Sequence, residues 1–182
     1  MKPLIAFDLW QWVEKNRHAF EPPVGNKVIW EDSQFTAMII HGPNARRDFH
    51  ADPSDEIFYM LKGDMDLEYI QDGRRHHQAI REGELLLVPA FTPHSPHRPA
   101  DTWGLVVEVK RGPEQTESLR WFCDQCHAPL HEVTMHVADI ERELKAAIER
   151  FDTSLELRTC RRCGYLQPEQ PPVSDQRPAR KA

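Results

Sequence analysis

The sequence predicts a mainly β protein, a small antiparallel barrel with a helix before it and a metal-binding subdomain after it. Three observations carry that prediction. Short runs rich in β-branched and aromatic residues succeed one another between positions 28 and 109, glycine-bearing turns separate them, and two Cys-x-x-Cys pairs stand beyond the last run. The boundaries implied are 1–27 for an N-terminal segment, 28–112 for the barrel, 113–166 for the cysteine subdomain and 167–182 for a tail.

Taken in order, residues 8–20 read as a short helix. Asp8 can cap it, Leu9, Trp10, Val13 and Phe20 recur at roughly helical spacing, and Pro22-Pro23 ends it. The β runs are 28–30, 35–40, 57–61, 67–70, 85–88 and 105–109. Lys62-Gly63-Asp64 and Asp72-Gly73 supply the residues that tolerate positive φ in tight hairpins. Closely spaced strands of this kind favour a barrel or a sandwich, and we read a barrel. Beyond Arg111-Gly112-Pro113 come WFCDQC, a strand at 132–137 and a helix at 139–151 whose Ile140, Leu144, Ile148 and Phe151 form one apolar stripe for core packing. The tail from Gln167 is proline-rich and almost without large apolar residues, so it cannot recover its ordering entropy and is expected to be disordered.

Composition narrows the function classes. With 182 residues, 40% hydrophobic and 29% charged, the chain can bury a sizeable core without disulfide staples. A net charge of -6 offers no broad basic face, so neither nucleic acid nor an anionic membrane is an expected partner. No apolar run approaches the length of a membrane span, and Asp8 and Glu14 interrupt the stretch a signal peptide would need, which makes the cytoplasm the natural assignment. In that reducing compartment the pairs Cys123/Cys126 and Cys160/Cys163 favour a metal over a disulfide, with iron and zinc both suited to four thiolates.

A second ligand set is divided along the chain. His50 and Glu56 stand six residues apart, His94 lies far downstream, and each falls in a segment that reads as β. Taken singly, His50 would be a loop residue after Arg46-Arg47-Asp48, Glu56 a solvated charge at a strand edge, and His94 the end of a turn. Their joint spacing reverses that reading. Gly42 and Gly63 bracket His50-x-Asp52-x-x-x-Glu56, while Gly83, Pro89 and His94 form a second bracketed unit. Two imidazoles and a carboxylate on one side of a metal leave other positions open, as a non-haem Fe(II) oxygen-activating site requires.

This spacing resembles the two signature motifs of the cupin superfamily, whose double-stranded β-helix, or jelly-roll, barrels aim such ligands inward. Asp52 stands where many cupins have a second histidine, and Phe91 where the second motif often has glycine. The strings GPNARRDFHADPSDEIFYMLKGDM and EGELLLVPAFTPHSPHRP, with PPVGN near the start and the paired cysteines, resemble the 3-hydroxyanthranilate 3,4-dioxygenases of bacteria and fungi over nearly the whole chain except the tail.

That resemblance implies an Fe(II)-dependent extradiol-type dioxygenase acting on a small aromatic substrate and O2. Its product, 2-amino-3-carboxymuconate 6-semialdehyde, is the precursor of quinolinate, in NAD synthesis or in tryptophan breakdown. The resemblance implies His50, Glu56 and His94 as ligands of the catalytic iron, Arg46 on the O2 side, and Arg98 and Glu108, together with Glu56, on the substrate. It also implies a rubredoxin-like iron at the four cysteines with no required part in ring cleavage, and a homodimer with the N-terminal segment in the contact. From the residues alone, Arg98, four past His94, can reach the same cavity and grip a carboxylate. Glu108 lies on the strand face opposite Leu105, Val107 and Val109, and period does not say which face lines the barrel. The competing readings are a non-catalytic ligand-binding cupin, a cupin isomerase, and a dioxygenase for another aminophenol carboxylate. For the cysteines the rival is a nucleic-acid-gripping zinc ribbon, supported by Arg158, Arg161 and Arg162 alone.

Overall fold

The computed structural model of the protein describes residues 4–20, 25–140 and 142–169. Helix α1 (Leu9–Lys15) begins where the Asp8 carboxylate accepts the Gln11 N–H at 2.9 Å, the expected N-cap. It stops sooner than its apolar spacing predicts. After Asn16 the chain tightens into a 3-10 turn, Arg17–Phe20, that buries Phe20 beside Trp12, and Val13 and Phe20 pack on Ile39 and Trp103. The expected stop at Pro22-Pro23 lies outside the described residues.

The strands are β1 (Asn26–Val28), β2 (Phe35–His41), β3 (Asn44–Ala45), β4 (Phe49–Ala51), β5 (Glu56–Lys62), β6 (Met65–Gln71), β7 (Arg74–Ile80), β8 (Leu85–Val88), β9 (His94–Arg98), β10 (Trp103–Val109), β11 (Glu117–Phe122) and β12 (Pro129–Met135). One antiparallel sheet has the order β1-β2-β10-β5-β8. The other runs β12-β11-β4-β9-β6-β7, with β3 attached to β9. From β4 onward the chain passes repeatedly between the sheets, and the two close face to face as the jelly-roll barrel of a cupin. Met38, Phe58, Met60, Leu67, Val88 and Val106 fill the space between them. Asp72 and Gly73 both take positive φ, 51° and 70°, as the two-residue turn joining β6 to β7 demands.

The runs expected at 35–40, 57–61, 67–70, 85–88 and 105–109 all fall within strands. The run at 28–30 does not, because pairing with β2 starts earlier, Asn26 opposite Ile40 and Val28 opposite Met38. Strands β4, β7, β9 and β11 escape a reading based on alternation. The first is three residues long, β7 is the polar run RRHHQA before Ile80, and β9 contains Pro96. The sheet does not end at 112: β11 pairs with β4, Leu119 opposite His50, and β12 continues the same sheet.

The C-terminal strand starts at Pro129, three residues before the position expected. Helix α2 (Glu143–Thr153) starts four residues late, because the Glu143 carboxylate turns back to accept the N–H groups of Ala138 and Asp139 at 2.8 and 3.1 Å. Its stripe packs as expected on β11, with Phe151 stacked 4.6 Å from Trp121, and α3 (Leu155–Arg158) follows from a Ser154 cap. The tail is ordered further than its composition predicts. Gln167 is buried, its side-chain oxygen accepts the Asp124 N–H at 3.1 Å, and its carbonyl accepts Arg158 Nη1 at 2.7 Å. Residues 170–182 lie outside the description.

Candidate metal centres

Strand register delivers the divided ligand set to one place. His50 on β4 and His94 on β9 are direct cross-strand partners, and Glu56 opens β5 opposite Glu108 on β10. His94 Nε2 lies 3.4 Å and His50 Nδ1 3.9 Å from Glu56 Oε1, all three residues are buried, and their ligand atoms lie within 4.8 Å of one another. His94 Nδ1 donates to the Thr92 carbonyl at 2.9 Å, which leaves Nε2 as the lone-pair nitrogen facing Glu56.

The field in the barrel prepares these groups for a cation. Burial, then the neighbouring charges of His50, Arg46 and Arg98, press His94 down to about 3, so its ring is neutral and free to ligate. Burial raises Glu56 to about 8, with the Glu108 and Asp52 carboxylates adding to it and His50 opposing. Among the described residues the cluster holds five buried carboxylates, Asp48, Asp52, Glu56, Glu108 and Glu117, against the three guanidiniums of Arg46, Arg98 and Arg111. Full ionisation would leave two negative charges uncompensated, the deficit a divalent ion fits.

The arginines are not equivalent. Arg46 forks onto Asp48, its Nε 3.1 Å from Oδ1 and Nη2 on Oδ2. Arg111 spans Asp52, Glu108 and Glu117. Arg98, 3% exposed, has no hydrogen-bond partner at Nε, Nη1 or Nη2 among the described residues. It shares a strand face with His94 and lies 5.9 Å over the Phe58 ring, which meets His94 edge-on at 5.6 Å.

Glu108 points inward, 2% exposed, and its partner is Arg111 rather than Arg98. Asp52, in the place of a second cupin histidine, accepts Ser54 N and Oγ at 2.6 Å and also binds Arg111. Sequence reasoning missed Arg111, Glu117 and Asp48. Arg111 and Glu117 flank the exposed stretch Pro113–Thr116, and nothing in their immediate sequence marks them as buried. His41, stacked on Trp103, and His76 and His77 on β7 are not part of the cluster.

The glycine bracket has a steric reason. A Cβ on Gly42 would stand 2.0 Å from the Pro99 carbonyl oxygen, so only glycine lets this strand end approach the turn after Arg98.

The four cysteines also converge. Cys123 and Cys163 Sγ atoms are 3.7 Å apart, Cys126 and Cys160 Sγ atoms 3.6 Å, and all four lie within 4.8 Å of one another. A tetrahedral ion with metal–sulfur bonds of about 2.3 Å places its sulfurs roughly 3.8 Å apart, so the donor set fits iron or zinc. Each pair sits on the same turn. Cys123 N–H donates to the Ala128 carbonyl and Cys160 N–H to Tyr165, both at 2.8 Å, and the residue after each pair, His127 or Gly164, takes positive φ.

The barrel and its inward His/Glu/His face, able to hold a metal ion, have the form of a cupin. Residues 1–152 match the family model described as 3-hydroxyanthranilic acid dioxygenase. The chain is 48% identical over 170 residues to a 3-hydroxyanthranilate 3,4-dioxygenase of Bacillus thuringiensis (strain Al Hakam), covering 93% of this chain and 95% of the relative. It is 44% identical over 156 residues to the protein of that name from Neurospora crassa, 86% of each. Among solved structures, a cupin-2 domain containing protein from Shewanella frigidimarina aligns over 53% of this chain and 91% of its own at 15% identity and a TM-score of 0.45. The chain belongs to the 3-hydroxyanthranilic acid dioxygenase family.

Proposed function

We propose that this protein opens the ring of 3-hydroxyanthranilate with O2 to give 2-amino-3-carboxymuconate 6-semialdehyde, with Fe(II) held by His50, Glu56 and His94. The observation that carries the reading is Arg98, a buried guanidinium without a hydrogen-bond partner among the described residues, on the same strand face as His94. Such a group is costly unless an anion completes it. The substrate carboxylate supplies that anion through two parallel charge-assisted hydrogen bonds, which also fix the direction of the ring.

A ferrous ion supplies the redox partner that lets triplet O2 react with a singlet ring, work that redox-inert zinc cannot do. The chain's own residues do the rest. Glu108, whose carboxyl is pushed up by burial, faces Glu56 across the strand pair and is placed to hold the proton of the ring hydroxyl. Arg46, fixed by Asp48, keeps a positive charge beside the cluster, where it lowers the cost of negative charge that grows as O2 is reduced. The cysteine centre is structural and rubredoxin-like, binding iron or zinc, and its thiolates suit a reducing, cytoplasmic setting. The exposed Leu4, Ile5 and Trp10 support an N-terminal contact in a homodimer, which light scattering tests. Oxygen uptake by iron-loaded protein given 3-hydroxyanthranilate tests the activity, and no uptake refutes it.

A further inference from the structure

Glu117 lies beyond the barrel motifs, at the start of the strand that leads to Cys123, yet its side chain reaches the catalytic cluster. Its Oε2 meets His50 Nε2, both groups buried, while the other ring nitrogen, Nδ1, faces Glu56 at 3.9 Å. A neutral imidazole has one N–H and one lone pair, and an ionised carboxylate can only accept. In the neutral ring that a bound metal requires, Nε2 therefore carries the hydrogen and Nδ1 the lone pair. Arg111 keeps Glu117 in the accepting form, since its Nη2 donates to the same Oε2 at 2.7 Å. Arg111 also binds Asp52 and Glu108, so a cation already serves the carboxylates on that side of His50 and the Nδ1 side is left for a metal.

We infer that Glu117 is a positioning residue for the barrel metal: it selects the tautomer of His50 in which Nδ1 is the ligand, and Arg111 holds it in place. This rests on the reading of His50 as a metal ligand. The two histidines are then oriented by different means, His94 by the Thr92 carbonyl from its own strand end, His50 by a carboxylate brought in on β11. Strand register makes the delivery possible. Leu119 is the direct partner of His50, and Glu117, two residues earlier on the same strand face, is its diagonal neighbour within reach of a long side chain.

The test uses the full chain with 15N-labelled histidine and zinc at both sites. Long-range proton–nitrogen spectra are expected to show His50 with zinc on Nδ1 and hydrogen on Nε2. Glu117→Gln should weaken zinc at the barrel site by roughly 10- to 100-fold in competition with a chelator, while the four-cysteine site stays filled. Zinc on His50 Nε2 overturns the role of Glu117 but leaves His50 a ligand. An unchanged affinity in Glu117→Gln overturns the role as well. A His50 ring that does not respond to zinc removes the ligand assignment and this inference together.

Discussion

Arg98→Met should act with opposite sign on the free protein and on its complex with substrate. In the free protein, burial and then the charge of Arg46 press the Arg98 guanidinium down to about 10, with Glu56 opposing. Measured from an ordinary guanidinium, at 1.36 kcal/mol per pKa unit, holding that charge costs the folded state about 3 kcal/mol at any pH below about 10. Methionine fills much of the same volume without the charge. At roughly 2–4 °C per kcal/mol for a chain of this size, its midpoint of thermal unfolding should rise by as much as about 6–12 °C. Binding moves the other way. Two charge-assisted hydrogen bonds to the substrate carboxylate, at roughly 1.5–3 kcal/mol each, disappear, and at about 1.4 kcal/mol per decade kcat/KM should fall by roughly 10²–10⁴-fold. Thermal unfolding of metal-loaded, substrate-free protein beside steady-state oxygen uptake reads both effects. A variant that loses stability along with activity refutes the reasoning, since Arg98 would then be held by the protein itself.

Three further outcomes follow from the same geometry. With Glu56 raised to about 8, His50 also raised, against its burial, by the Glu117 and Glu56 carboxylates, and His94 lowered to about 3 in the metal-free site, a divalent ion should release at least about one proton at pH 7, from Glu56 and in part from His50, and bind more tightly as pH rises towards 8; calorimetry in buffers of different ionisation heat measures the release, and none at pH 7 contradicts the reading. Cys160→Ala should lose the metal of the cysteine centre and leave the barrel ion in place, which metal analysis after gel filtration shows; loss of both ions would mean that the sites do not fill independently. Gly42→Ala should destabilise by roughly 2–3 kcal/mol, read as a lower urea midpoint, because backbone rather than a flexible side chain blocks the new methyl; a midpoint equal to wild type would show that the turn at Pro99 can yield.

The parts of this protein that read well from sequence are those where one local rule decides. Asp8 caps a helix because a short acceptor precedes apolar residues at helical spacing, and Asp72-Gly73 turns because both residues tolerate positive φ. The metal-ligand candidates were legible because glycine brackets and spacing left few other readings, and the structure brings His50, Glu56 and His94 together. Strands such as β7 and β9 were not, since their place is fixed by pairing with distant partners rather than by alternation of their own residues. Arg111 and Glu117 were illegible for a related reason. A charged residue beside an exposed stretch looks solvated until β11 folds against β4 and draws it inward.

In the proposed reaction, specificity follows from which charges in this cluster are already answered. Arg46 has Asp48 and Arg111 has three carboxylates, so neither can grip a new anion without giving up a present one. Arg98 has no such claim on it among the described residues, and the Phe58 ring contacts both it and His94, so in the proposed site an anion-binding end and a metal end stand on either side of that ring. A ring that carries its carboxylate at one end and its hydroxyl and amine donors at the other satisfies both ends at once. A ring lacking the carboxylate leaves a buried guanidinium unanswered, a penalty that no contact at the metal offsets.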